Sequence, residues 1–282
     1  TGDIVDSGNL TITGTSTFTT GADGSNIILD SSGNAFSKVV HLKADTGGNE
    51  TFGNITFVDS IKRRIRLHGP GCGSDICLTI NAGTDGAVGG NLSITSTTGM
   101  IDQDYALTVG GTSSFTTLAN NKFIHLQGYT MAGNNAFAGA VALNTNGSSA
   151  HATLVDTSGL LLAASTVGGN LSATATTGNM EDSGVLTIAG TSSFTTSANN
   201  ATITLNNANA FTGAVALNTT GSSGHATVVD ASGLNLAAST VGGNLIATAT
   251  TGNMEDSGVL TIAGTSSFTT SANNATITLN NA

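Results

Sequence analysis

Short bursts of alternating apolar and polar residues run along the chain, each entered through a turn that ends in glycine. DSG precedes VLTIAG at Val185, FTG precedes AVALN at Ala214, and ASG precedes LNLAAS at Leu234. Period-2 alternation rich in Thr, Val and Ile, punctuated by Gly, Asn and Ser, is the pattern of half-buried strands joined by turns. No window carries a helical period, and helix-favouring Glu and Lys are scarce. The chain reads as all-β.

These bursts belong to a larger repeat. The run from Thr177 to Ala208 returns letter for letter at Thr251 to Ala282, so each position recurs 74 further on. VGGN occurs at Val88, Val167 and Val241, so the preceding spacing is 79. The five extra residues fall between Asn121 and Phe137. The first copy diverges most: its TSTFTT at Thr15 to Thr20 aligns with TSSFTT at Thr112 to Thr117 and again around Phe194 and Phe268. Its stretch from Phe36 to Val88 exceeds the counterpart from Phe137 to Val167 by 22. The chain divides into a divergent unit with an insert (about 1–87), units at 88–166 and 167–240, and a partial unit at 241–282.

Within one unit the three bursts mark three segments of similar length, about one solenoid coil each. A propeller blade of about 40 to 45 residues divides neither 74 nor 79 well. The expectation is a single β-solenoid, a right-handed parallel β-helix of about 11 to 14 coils stacked at about 4.8 Å. Leu, Val, Ile, Phe and Ala would point inward, with Asn, Thr and Ser laddered at the corners. The five-residue excess reads as a bulge or loop, and the longer excess of the first copy as about one whole added coil. The sequence opens partway through a unit at Thr1 and stops at Ala282, the counterpart of Ala208. Further repeats are expected beyond residue 282, and export-related sequence before residue 1.

Composition narrows the function. Charged residues are 9% of the chain, against roughly 25% in an average soluble protein. All seven basic residues lie in the first 122 positions, and from 123 onward there are six acids and no base. So few cations exclude nucleic acid as a partner. A hydrophobic content of 38% argues against disorder. No apolar run reaches the roughly 18 residues of a transmembrane segment.

GGNLSATATTG, GVLTIAGTSSFTT, NAFTGAVALNT and ASGLNLAASTVGGNL resemble the degenerate β-strand repeats of filamentous-haemagglutinin-like bacterial exoproteins, large adhesins of the two-partner-secretion type. The resemblance covers nearly the whole chain except about Ser37 to Ala87. It implies a secreted or surface-displayed right-handed β-helix serving adhesion, biofilm cohesion or toxin display. The reading is then a non-enzymatic structural or adhesive repeat protein, extracellular or at the bacterial cell surface, without cofactor or metal. Its partners would be sister chains in a fibre or surface layer, or a surface glycan or protein. The alternatives are a polysaccharide-active β-helix enzyme and a passive spacer displaying a distal domain.

Most candidate chemistry sits in the insert. Cys72 and Cys77, in HGPGCGSDICL, are spaced for a small disulfide loop in an oxidising compartment; free thiols and a metal site are the alternatives, although the spacing matches no zinc pattern. Lys62, Arg63, Arg64 and Arg66 form a basic cluster suited to a carboxylate, a glycan acid or an acidic neighbouring chain, or else a solvated coil edge that resists lateral strand pairing. A lyase-type site could be assembled only from Asp59, Arg63, Arg64, Arg66 and Asp75.

Elsewhere, His151 and His225 are equivalent, about three coils and roughly 14 Å apart at strand spacing, and read as corner histidines bonded to backbone. Glu181-Asp182 and Glu255-Asp256 read as Asx-turn caps rather than calcium ligands. Thr-x-Thr pairs such as Thr174/Thr176 suggest ice binding, but the intervening coils carry VALN or VVD. Sequons at Asn9, Asn54, Asn170 and Asn200 arise readily by chance in an Asn- and Thr-rich chain.

Overall fold

A computed structural model describes residues 2–22, 24–44, 53–61, 64–67, 76–80, 87–127 and 135–281. It is all-β, with parallel strands stacked in about 11 turns as a β-solenoid, and no helix among the described residues. Two units separate, Thr1–Ala150 and His151–Ala282.

In the first unit two parallel sheets face each other across the core. Sheet 1 runs through Ile4–Val5, Ile27–Leu29, Ile55–Asp59, Leu92–Ser96, Ser113–Asn120 and Val141–Asn146. Sheet 2 runs through Ser16–Thr19, Val40–Lys43, Ile76–Ile80, Ile65–Leu67, Ile101–Gln103 and Ile124–Leu126. Short strands such as Thr108–Val109 and Ala136–Phe137 pair along a narrow third side. Alternation sends every second residue inward: Ile55, Phe57, Leu92, Ile94 and Phe115 are fully buried or nearly so. Burying each such side chain is worth roughly 1.5–3 kcal/mol. The Phe of the T-S-x-F-T-T motif packs on the Phe of the next turn's N-A-F, with centroids 6.2 Å apart for Phe18 and Phe36 and 6.1 Å for Phe115 and Phe137.

Among the described residues the insert adds one strand, half a coil, rather than a whole coil. Sheet 1 steps from Ile27–Leu29 to Ile55–Asp59 to Leu92–Ser96, one strand per turn. Between Ile55–Asp59 and Leu92–Ser96 sheet 2 takes two strands, and they enter out of chain order. Ile76–Ile80 pairs with Val40–Lys43 on one side and Ile65–Leu67 on the other, and Ile65–Leu67 then pairs with Ile101–Gln103. Alternation accounts for the extra strand: Ile65 and Leu67 face inward from one segment, and Ile76, Leu78 and Ile80 from the next. The five-residue excess of the later unit falls around residues 128–134, outside the described residues.

The second unit repeats the plan. Sheet 3 runs through Leu160–Leu162, Met180–Asp182, Ile203–Phe211, Ala226–Asp230, Leu245–Ala249 and Ser266–Thr270. Sheet 4 runs through Ala152–Asp156, Leu171–Ala175, Ser192–Asn199, Val215–Thr220, Leu234–Leu236, Met254–Asp256 and Ile277–Thr278. The chain visits the two alternately. From Ser192–Asn199 on sheet 4 to its sequence twin Ser266–Thr270 on sheet 3 it makes seven half-turns. One repeat unit is therefore three and a half turns, not three, and equivalent residues of successive units stand in opposite sheets.

Candidate functional site

The corner side chains make bonds from one turn to the next. In the first unit the residue preceding each of the first four sheet 1 strands accepts the backbone N–H of its counterpart one turn on. Asp3 Oδ1 takes the Asn26 N–H, Asn26 Oδ1 that of Asn54, Asn54 Oδ1 that of Asn91, and Asn91 Oδ1 that of Thr112, each at 2.8 Å. A strand N–H that would otherwise lie unpaired at the corner is thereby satisfied.

Histidine takes the same place twice in the second unit. His151 Nδ1 accepts the N–H of Asn170 at 2.8 Å, and Asn170 Oδ1 that of Thr191 at 3.0 Å. His225 Nδ1 accepts the N–H of Asn244 at 2.9 Å, and Asn244 Oδ1 that of Thr265 at 2.9 Å. The approach needs glycine: a Cβ on Gly243 would stand 2.4 Å from His225 Nδ1. The two histidines are not stacked three coils apart on one side. His151 opens a strand of sheet 4 and His225 one of sheet 3, and each Nδ1 lone pair is already occupied. The four sequon asparagines are likewise engaged: Asn9 Oδ1 accepts from Gly33 and Asn200 Oδ1 from Ser223, as Asn54 and Asn170 do above.

A second device lies deeper. Asn34, Asn135 and Asn209, the first residues of N-A-F, are fully buried. Asn209 Oδ1 accepts the Leu186 N–H at 2.7 Å while its Nδ2 donates to Asp182 Oδ2 at 2.7 Å. Asp182 also accepts the N–H groups of Asn206 and Asn207. It caps the next turn rather than its own Asx-turn, and its neighbour Glu181 points to solvent. Asp6 and Asn34 repeat the pair at 2.6 Å. Burial pushes Asp6 up, but hydrogen bonds from Asn34, Asp30 and Ser31 outweigh it and hold the carboxyl below its ordinary value. In the middle copy Gln103 replaces the aspartate, and the two amides of Gln103 and Asn135 bond reciprocally. This buried partnership was missed in the sequence. The recurrence of D-S-G about one turn before N-A-F was the available signal.

One charged cluster stands on the outer side of sheet 2. Register aligns Cys77, Arg66, Asp102 and His125 across four strands. Arg64 Nη1 lies 2.6 Å from Asp102 Oδ2, His125 Nδ1 lies 3.3 Å from Asp102 Oδ1, and Arg66 pairs with Asp104. Both described arginines are thus matched by carboxylates of the following turn. Lys62 and Arg63 lie outside the described residues. Asp59 is fully buried, its oxygens accepting the N–H groups of Phe36 and Ile61. Burial raises its carboxyl to about 6, against the opposing pull of those amides. Asp75 lies outside the described residues. Cys77 is buried and disulfide-bonded; Cys72 also lies outside the described residues. No cluster of three or more His, Cys, Asp or Glu able to hold a metal occurs among the described residues.

Four segments of the chain, 1–43, 74–144, 149–218 and 223–282, match one family model, described as repeats of unknown function (DUF5649). The chain belongs to this repeat family. No curated protein and no solved structure matches it. The DUF5649 segments hold the corner ladders, apart from Asn54, and the buried Asn–Asp pairs. Residues 44–73, between the first two segments, hold Asp59, the four clustered cations and Cys72. The repeat chemistry is thus that of stacking, and the unusual charges belong to the insert.

Proposed function

We propose that this chain is a non-enzymatic structural and adhesive repeat protein, extracellular or displayed at a bacterial cell surface, of the filamentous-haemagglutinin-like kind. One observation carries the reading: the polar side chains that recur with the repeat, Asn, Asp and His alike, are turned to bonds between successive turns. A chain whose repeated polar groups serve its own stacking is a scaffold. A composition poor in charge and rich in Thr, Ser, Asn and Gly fits an exoprotein surface, and the disulfide-bonded Cys77 fits an oxidising compartment. The polysaccharide-active alternative draws no support from Asp59, whose carboxylate is buried against two amides. Sister chains, or a surface glycan or protein, are the partners this role implies.

The test is protease shaving of intact producing cells, with released peptides read by mass spectrometry. Peptides of this chain should appear before any cytoplasmic marker. Their appearance only after lysis would overturn the assignment.

A further inference from the structure

The same outward decoration recurs on three sheets. On sheet 4, successive turns bring Thr153 and Val155, Ser172 and Thr174, and Ser193 and Thr195 into two straight columns. Sheet 1 carries the same T-x-V, S-x-T, S-x-T sequence on Ile55–Asp59, Leu92–Ser96 and Ser113–Asn120, with Val58 buried and the other five positions part-exposed. Sheet 3 carries T-x-V, I-x-T, S-x-T on Ala226–Asp230, Leu245–Ala249 and Ser266–Thr270. The half-turn offset of the repeat is what sends the patch to opposite sheets of the second unit. On sheet 1 the series stays in register although two strands of sheet 2, rather than one, separate Ile55 from Leu92 along the chain.

We propose that this patch is a self-association surface, and that its occupant is the same patch on a second copy of the chain. The inference rests on the structural role proposed above and names the surface through which it acts. Charge selects the surface. The chain carries a net charge of −10, so copies repel broadly, yet no residue of the patch is ionisable. The outer side of sheet 2, by contrast, holds the Arg64–Asp102–His125 and Arg66–Asp104 pairs.

Shape selects the partner. In-register columns of Thr, Ser and Val at about 4.8 Å mesh with identical columns in the dry manner of a steric zipper. Ile246, about half exposed, adds apolar area on sheet 3. Area sets the outcome. Five residues by three turns cover only about 16 Å by about 14 Å, far below the ~800 Å² per partner of a stable dimer. A single patch pair is weak, and a chain whose patches lie on opposite sheets adds copies one after another rather than closing as a dimer.

Sedimentation velocity of the 282-residue chain over a concentration range tests this. Wild type should form species beyond dimers as concentration rises. Three paired changes block the patches one at a time: Thr95→Lys with Thr116→Lys, Thr174→Lys with Thr195→Lys, and Thr248→Lys with Thr269→Lys. With two patches blocked, growth should stop at dimers. With all three blocked, the half-association concentration should rise at least about tenfold. Valine at the same six positions keeps the branched shape and should retain association, which guards against loss of fold in the lysine variants. The proposal is overturned if wild type stays monomeric, if it binds ice or insoluble polysaccharide without self-associating, or if the fully blocked, folded variant associates like wild type. A chain displayed on cells yet monomeric refutes this surface and leaves the structural role standing.

Discussion

Phe194 and Phe268 hold the same place in two identical stretches of sequence, and they stand in opposite sheets of the second unit. On the side of the preceding turn their surroundings nonetheless match: Phe194 is in register with Ala173 and Phe268 with Ala247. Half-turns are interchangeable because both sheets present the same inward sequence of large and small residues. That equivalence lets a repeat of three and a half turns stack without a break, and it frames the tests that follow.

The buried amide–carboxylate pair should dominate mutational sensitivity. Asn209→Ala strands the Leu186 N–H and removes a donor from Asp182, at a cost of about 3 kcal/mol. Asp182→Gln should cost less than Asp182→Ala, because Gln103 already serves at that place in the middle copy. Urea denaturation of the three variants checks the order. Equal losses for Gln and Ala would contradict it.

Ser192 marks the opposite case. Its hydroxyl is buried and finds no hydrogen-bond partner among the described residues. Ser192→Ala should be neutral or stabilising by up to about 1 kcal/mol, since an unmet polar group is removed. A clear destabilisation in the same urea assay would show that the hydroxyl is bonded after all.

The corner backbone sets a third test. Asn200 adopts φ 65° and Ala208 φ 44°, a left-handed region that asparagine tolerates and alanine does not. Asn200→Ala loses both that tolerance and the bond from Ser223, costing about 1–2 kcal/mol. Ala208→Gly should raise stability by up to about 1 kcal/mol. Shifts in thermal midpoint of opposite sign are expected; a lower midpoint for Ala208→Gly counts against strain at that residue.

Asp59 gives the chain a pH signature. Its folded value near 6 lies above the ordinary 3.8, so the folded state holds the proton more tightly than the unfolded state. Its contribution is therefore full below about pH 4 and is lost as pH rises through 6, by up to about 3 kcal/mol. Asp59→Asn should flatten this segment of the stability curve. Urea midpoints at fixed ionic strength between pH 4 and 8 decide it, and parallel curves for the two proteins would refute the assignment.

The insert's cysteines give a covalent test. If Cys77 is bridged to Cys72, alkylation without reductant should label neither, and reduction should add the mass of two hydrogen atoms to the intact chain. Double labelling of the unreduced protein would rule the bridge out.

All-β character, the repeat and the solenoid were legible in the sequence because period-2 alternation and turn residues are local signals, and repetition of one unit demands stacking. The corner asparagines were legible as a class for the same reason. Which atom each one meets was not, since the partner lies a full turn of the solenoid away and the distance depends on turn length. Likewise the pairing of Arg64 with Asp102, a turn further along the chain, could not be read from a run of adjacent cations.

By itself, then, the sequence determined which residues face inward and that like segments pair in parallel, because alternation and repetition act along the chain. Only the tertiary structure decided the count of half-turns per repeat, which assigns His151 and His225 to opposite sheets. It alone placed the insert's extra strand in sheet 2 and gave Asn209 its carboxylate. The reason is common to all three: each depends on how neighbouring turns fall into register, and register is settled by the packing of the whole stack rather than by any single segment.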